Sequence, residues 1–544
     1  MRKSSYKTCI TLFFGLFFLL TAHSNAQRSY PINANLDILH YTFSLELNDS
    51  NDEIKGEAKI LFKLKETNKL TLDLVGLGSE GSGMLVTNVI GSGGSLSFTH
   101  EYDRLIIILE KNREKTANYE IVIHYKGIPA AGLVIGDNIF DERVFFGDNY
   151  PDRARNWLPC VDHPSDKATV TWVIKAPSHY KVVASGKFVS EVESKDKKTT
   201  TWDEQVPLST KVMTFGAANF AVDHSGDVND APVTTWVYQQ NKEAGFYDFA
   251  IAPKVLAYYD SLIGPYPYEK LANVQSKTTY GGMENAGNIF YFEKSVNGKG
   301  ERETLIAHEI VHQWFGNSAT EKDWPHAWLS EGFATYLTSV YIGSRYGLES
   351  MNKRLIGDRN RVIQYWHKNP LPIVNRNIVS YPRISGLREL LSTNTYQKAG
   401  WVLHMLRNEI GDEAFWQSIR KYYTVYRDSI AGTEDFKNVV EEVSGKDLEL
   451  FFDQWLYGKG QPTLNGSWQF ENDKLTIALN QSQEIPFEFP LEIGLVYEDE
   501  IIIKLVDVKL AKHSFSFSDP RPDSIILDPN IMLLFEGKSQ LVEN

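Results

Sequence analysis

Two histidines four positions apart, His308 and His312 in "AHEIVHQWFG", are the first residues in this sequence whose types and spacing suggest chemistry. On a helix each residue turns about 100°, so both imidazoles lie on one face and reach a single ion together. Glu309, beside the first histidine, is better placed to hold a water than to act as a ligand. The spacing alone also fits two partly exposed helix histidines. A second helical stretch, "WLSEGFATYL", supplies Glu331 nineteen positions after His312. A helix, a short connection and an antiparallel helix bring that carboxylate back to the ion. Two histidines and one glutamate leave a fourth position for water, the open arrangement of a catalytic zinc. An isolated helical glutamate is usually just solvated. Glu331, however, has Trp328, Leu329, Gly332 and Phe333 as neighbours, an apolar setting in which a carboxylate needs a partner.

Upstream lies "YGGMENAGN", residues 280–288. Gly281 and Gly282 carry no side chains, so a peptide backbone can approach and pair along this edge as an added strand. Glu284, flanked by Met283 and Asn285, then presents a carboxylate to a positively charged amino end. Such a pairing fixes the cut one residue from the substrate's end. Taken alone, the nonapeptide reads better as a glycine-bearing turn.

Together these parts resemble the zinc aminopeptidases of the aminopeptidase N type, which include the leukotriene-A hydrolases. "GGMEN", "HEIVHQWFGN" and "WLSEGFA" carry the resemblance, in that family's order and spacing. It extends from "HYTFSLEL" near the start to "FFDQWLYGKGQP", and "WLPCVDHPSDKATV" looks like the family's Pro-Cys segment. The resemblance implies one zinc ion held by His308, His312 and Glu331, with Glu309 as general base. It implies peptides with a free amino terminus as substrates, bound through Gly281, Gly282, Met283, Glu284 and Asn285. It also selects Tyr396, in "TYQKAGWVLHML", as donor to the oxyanion of the reaction. Two departures stand out. Asp162-His163-Pro164 replaces a common Asp-Glu-Pro. Tyr150 stands near where a Glu or Gln often helps hold the amine, so either Glu284 is the main holder or Asp148, two residues earlier, substitutes. A zinc endopeptidase, an epoxide hydrolase using the same zinc and a non-catalytic peptide-binding protein are the rival readings.

The elements that must position these residues follow from periodicity. In "YTFSLEL" and "YEIVIHY" apolar residues alternate with polar ones, the period of half-buried strands. Glycine clusters such as "GSEGSG" punctuate them. From about residue 241, "AIAPKVLAYYDSLIG" and "ETLIAHEIVHQWFG" space apolar residues three and four apart, so helices dominate. After "GKGQP", short strands such as "KLTIAL" and "LEIGLVY" return as a small sandwich. The expected fold is multidomain α+β: a β-rich amino-terminal domain over 27–240, a mainly helical catalytic domain over 241–458 and a β-sandwich over 459–544. The resemblance makes the first saddle-like and the second thermolysin-like.

Residues 1–26 read as an export signal. Arg2, Lys3 and Lys7 precede the apolar run "CITLFFGLFFLL", and small residues at Ser24 to Ala26 offer a cleavage site. The run is shorter than the roughly 20 residues that span a bilayer, so no stable span is expected after cleavage, and the product is periplasmic or extracellular. Cys9 leaves with the signal and Cys160 stands alone, so a large core rather than a disulfide holds the fold. With 42% hydrophobic and 12% aromatic residues that core is available. A net charge of -13 argues against a nucleic-acid partner. Oligomeric state has no signature in the sequence.

Overall fold

The computed structural model describes residues 33–110, 114, 117–375, 390–498 and 500–544. The export signal at 1–26 lies outside the described residues. Among those described, no helix is long and apolar enough to cross a membrane.

The amino-terminal part is built from strands, as the alternation requires. An eight-stranded sheet has Leu36–Glu46 near its middle, paired antiparallel with Ile54–Leu64 and parallel with Lys167–Pro177. Tyr41, Phe43 and Leu45 point into its core, while Thr42 and Ser44 are partly exposed. A four-stranded sheet, Lys181–Ala184, Phe215–Ala218, Arg143–Gly147 and Leu133–Asp137, lines the same core.

The next sheet joins this part to the helical one. Its strands run Phe220–Val228, Ala231–Tyr238, Leu271–Ser276, Asn288–Phe292 and, at the edge, Gly282–Met283. The first two strands precede residue 241, so this sheet takes in segments that periodicity groups with the amino-terminal strands. Its two faces serve different cores. Val233, Val237, Ile289 and Tyr291 pack with the helices, whereas Tyr238, Val274, Met283 and Phe290 pack with the amino-terminal strands. Its inner strands Leu271–Ser276 and Asn288–Phe292 are buried along nearly their whole length, which removes the clean alternation that a sequence reading depends on, whereas Ala231–Tyr238 keeps it.

Helices dominate from Ala252–Ile263 through Glu303–Val311, Trp328–Tyr346, Leu348–Trp366 and Ala399–Ile410 to Thr433–Ser444. Every residue from Trp328 to Ile342 is buried, so this stretch of the helix runs through the centre of the domain with no wet face, and only its last turn is exposed. The carboxy-terminal part is a sandwich of a five-stranded sheet, including Thr463–Glu471 and Lys474–Gln481, and a three-stranded sheet, Glu500–Val508, Phe489–Tyr497 and Ser524–Leu527. The expected multidomain α+β architecture is the one observed.

The amino-terminal domain grips one segment of the helical part, residues 317–323. Lys167 donates from Nζ to Asn317 O at 3.0 Å, Ser318 O at 2.6 Å and Thr320 Oγ1 at 3.0 Å. Lys211 pairs with Glu321 at 2.5 Å, with both side chains out of solvent. His163 meets Asp323 at 3.3 Å. Removing one partner of a buried pair strands the other charge and costs about 3–5 kcal/mol. Lys211→Met should therefore lower the thermal midpoint by several degrees, and Lys211→Met with Glu321→Leu should recover much of the loss. A scan of both variants checks this, and an unchanged midpoint in the single variant would remove the pair from the account of stability.

Candidate active site

The Glu303–Val311 helix carries His308 in its last turn, and His312 caps it. Their Nε2 atoms lie 3.2 Å apart. Glu331, in the first turn of the Trp328–Tyr346 helix, places Oε2 at 3.4 Å from His308 Nε2 and 3.2 Å from His312 Nε2. The three ligand atoms all fall within 4.8 Å of one another. Glu331 Oε2 is buried with no hydrogen-bond partner. His312 turns its other nitrogen, Nδ1, to Phe315 O and Ser330 Oγ, both at 3.1 Å, which leaves Nε2 facing the cluster. Two imidazole nitrogens and a carboxylate oxygen converging on one point fit a zinc ion, and the orphaned Oε2 gives the carboxylate a reason to be there.

The turn between the two helices is built for this approach. Gly316 has φ 113°, and a Cβ there would lie 2.2 Å from Ser330 Oγ and 3.2 Å from His312 Nδ1. Asp323 accepts from Trp324 N at 2.7 Å and starts the short turn that leads into the Glu331 helix.

Glu309 is buried against the glycine strand. A Cβ on Gly282 would sit 2.3 Å from Glu309 Oε1, so only glycine lets the carboxylate lie there; Gly281 has no such contact. Gly282–Met283 pairs antiparallel with Asn288–Phe292 and is the edge strand of its sheet. Two side chains of the metal-helix segment fix the next residue. Gln313 Nε2 and Asn317 Nδ2 both donate to Glu284 O, at 2.9 and 2.6 Å. Gln313 Oε1 accepts from Gly287 N at 2.8 Å. The Glu284 side chain is buried, and its Oε1 has no partner. Tyr396, in the π-helical turn Asn394–Lys398, donates its hydroxyl to Glu331 Oε1 at 2.7 Å, and its ring stacks on His308.

The acidities follow burial. Burial pushes the Glu309 carboxyl well up, with His312 opposing. It also raises Glu284, against His312. Burial would raise Glu331 too, but His312 and His308 outweigh it and hold that carboxyl below its ordinary range. Burial, reinforced by Glu331, lifts the Tyr396 phenol well above its usual value, so it stays a donor.

Of the residues singled out from sequence, Gly282, Met283, Glu284, His308, Glu309, His312, Glu331 and Tyr396 line one cavity. Gly281 and Asn285 flank it; Asn285 is wholly buried and turns its chain with O accepting from Asn288 N at 3.0 Å. Tyr150 also lines the cavity, whereas Asp148 is buried behind it and paired with Arg153 at 2.8 Å. Sequence reasoning missed Tyr280 and Leu391 in the wall, and Gln313 and Asn317 beneath it. The amides had a signal in the sequence: they fall one and five positions after His312, on a segment otherwise packed into the core.

Residues 38–212 match the family model described as the Peptidase M1 N-terminal domain, and residues 247–455 match that of the Peptidase family M1 domain. The chain is 28% identical over 449 residues to a protein named probable aminopeptidase 2 of Sulfurisphaera tokodaii, covering 78% of this chain and 55% of that protein. It is 30% identical over 331 residues to the glutamyl aminopeptidase of Bos taurus, covering 58% of this chain and 34% of that protein. The chain thus spans about half the length, or less, of these curated relatives. A mutant M1 zinc metallopeptidase of Deinococcus radiodurans, solved with and without a Tyr-Ser-Ala substrate, superposes with a TM-score of 0.67 at 22% identity. That likeness covers 79% of this chain and 96% of the other, and shows a shared fold. With both family models matched in order across most of its length, and the metal triad assembled where the second one falls, the chain belongs to peptidase family M1.

Proposed function

We propose that the protein is a zinc-dependent aminopeptidase that removes the first residue of peptides. One observation carries this reading: a buried carboxylate with an unpartnered oxygen, Glu284, shares its cavity with the metal triad and follows directly on an edge strand. A substrate backbone that adds to Gly282–Met283 brings its positively charged end to Glu284, and the first peptide bond then lies over the triad. A zinc endopeptidase has no use for a carboxylate that blocks one end of the cleft, and the peptide-facing edge favours hydrolysis of peptides over that of an epoxide.

His308, His312 and Glu331 would hold the ion. When bound, zinc lowers the pKa of a water to about 7 and polarises the scissile carbonyl. Glu309 takes the proton of the attacking water and returns it to the leaving nitrogen. A carboxyl raised by burial suits this double duty, since it must both accept and release the proton. Tyr396, which lines the same cavity, donates to the developing negative oxygen of that carbonyl. Gly282 keeps the Glu309 carboxylate against the strand that orients the substrate. Export to the periplasm or beyond belongs to the same reading and rests on the sequence of residues 1–26; a mature chain beginning at Gln27 is the outcome that supports it.

Glu309→Gln should retain zinc by elemental analysis yet lose about 10²–10⁴-fold in kcat. Tyr396→Phe should lower kcat by about 10²–10³-fold with little change in KM. Unimpaired turnover in either variant would take that residue out of the reaction. Glu284→Ala should lower kcat/KM on free-amine peptides by about 10²-fold or more, the cost of removing one partner of a buried charge pair. It should leave the slow cleavage of amino-acetylated peptides unchanged. Equal losses on both substrates would show that Glu284 does not read the amine.

A further inference from the structure

Two cavities away from the metal adjoin where the helical part meets the carboxy-terminal sandwich. One has a volume of about 190 Å³ and the other about 390 Å³, and Glu409, Phe451, Glu488, Phe489 and Leu505 line both, so they form one cleft. It shares no lining residue with the metal cavity. Its floor is apolar, with Met405 and Trp455 buried beneath Phe451 and Phe489. The walls are pinned to each other. Gln454 Nε2 donates to Glu488 O at 2.6 Å, and Gln454 Oε1 accepts from Glu488 N at 3.0 Å. Asn408 Nδ2 donates to Met532 O at 3.2 Å. These bonds tie the helical part to the sandwich, so the cleft keeps its width.

An apolar strip leads out of the cleft. Glu500–Val508 is an edge strand of the three-stranded sheet, paired among the described strands only with Phe489–Tyr497. Its sequence, "EIIIKLVDV", is apolar on both faces. Ile502 and Val506 pack on the core, and Lys504 on the same side pairs with Asp519 at 2.8 Å. Ile501, Ile503 and Leu505 face the other way and are 49%, 39% and 69% exposed. The wet face of an antiparallel sheet is ordinarily polar, so three large apolar side chains in register mark a surface that a partner covers. Leu505 also lines the cleft, so strip and cleft are continuous.

Charge selects the partner. The smaller cavity is lined by Glu409, Glu488 and Glu492 and by no basic residue. The larger adds Asp447 and Asp507 against Lys446 and Lys509, and Lys446 is already paired with Glu409 at 3.1 Å. A second copy of the same face would set carboxylates against carboxylates, and an anionic lipid surface would meet the same repulsion. We propose that the cleft is a second peptide-binding site, separate from the metal cavity, which takes a peptide segment whose large apolar side chains stand beside lysine or arginine. The apolar side chains fill the cleft and cover Leu505, while the basic ones meet Glu488 and Glu492. Burial of apolar surface supplies the affinity, and the carboxylates choose among partners. Binding here does not require the reaction at the metal.

Fluorescence anisotropy of the zinc-loaded protein with a labelled peptide of alternating leucine and lysine tests the proposal. The peptide is acetylated at its amino end, so it offers no free amine to Glu284. Two matched peptides, one with glutamate for lysine and one with serine for leucine, separate the charge from the apolar contribution. The wild type should bind the leucine–lysine peptide and bind both others at least about tenfold more weakly. Leu505→Ser and Glu488→Lys should each weaken the leucine–lysine peptide about tenfold. Both residues are exposed, so both variants should keep the wild-type thermal midpoint. Undiminished binding in the variants overturns the assignment, because the peptide is then held elsewhere. So does a wild type that does not bind the leucine–lysine peptide, or that binds the leucine–glutamate peptide as tightly. Sedimentation that shows a dimer dissolved by Leu505→Ser would give this face to a second copy and overturn the assignment as well.

Discussion

The position of Glu331 relative to His308 and His312 depends on how the link between their helices is held. A metal site tolerates only about half an ångström of error in its ligands, and this link, residues 313–327, contains no long regular element of its own. The amino-terminal domain supplies the rigidity. Lys167 gathers three oxygens of Asn317, Ser318 and Thr320, and Lys211 meets Glu321 in an environment closed to water. Thr320–Glu321 also pairs in parallel with Ile430–Ala431, so the link is bound from the helical side as well. Burial pulls the Lys167 ammonium down to about 7, a cost accepted only because its oxygen partners are fixed. The β-rich domain is thus part of the metal site without providing a ligand to it.

The same economy governs charge inside the cavity. Glu284, Glu309 and Glu331 share a small buried space with two imidazoles, and like charges so close resist joint ionisation. The fold gives each a different environment. Glu331 faces both histidines and is held ionised. Glu309 lies against Gly282, where burial favours its protonated form. Glu284 has its backbone carbonyl satisfied by two amides while its side chain keeps an open valence toward the cavity. Three residues of one type thereby acquire three different environments by placement alone, which suits them to the proposed roles of ligand, base and anchor.

Much of this was legible in the sequence, for physical reasons. Helical period puts His308 and His312 on one face whatever surrounds them, and an apolar helix that spends a carboxylate at Glu331 announces a partner. Alternation in "YTFSLEL" gave the strand Leu36–Glu46 because one face of its sheet is wet. Other features were not legible. The inner strands of the bridging sheet are buried on both faces, so Leu271–Ser276 shows no alternation and its helix-flanked position is hidden. Tyr396 is one of 27 tyrosines, and nothing local separates it from a core residue; it was found through the resemblance. Gln313 and Asn317 act on a backbone carbonyl 29 and 33 residues upstream, a contact that exists only once the fold is formed.

Those two amides hold Glu284 at a fixed spacing from the His308, His312 and Glu331 cluster, although the two lie on separate elements. Gln313 directly follows the ligand His312, and Asn317 closes the turn after it with N bonded to His312 O at 3.1 Å. Both hold Glu284 O, and Gln313 also holds Gly287 N, so the loop from Glu284 to Gly287 moves with the metal helix as one body. A charge pair in their place would bind more strongly but would compete with the substrate ammonium for Glu284. Neutral amides bond the backbone and leave the carboxylate free. In the proposed reaction the cut falls one residue from the end because the distance from Glu284 to the triad is set by these short hydrogen bonds. On that proposal a peptide docked on the edge strand slides only until its own charge reaches the carboxylate, and there its first peptide bond is the one presented.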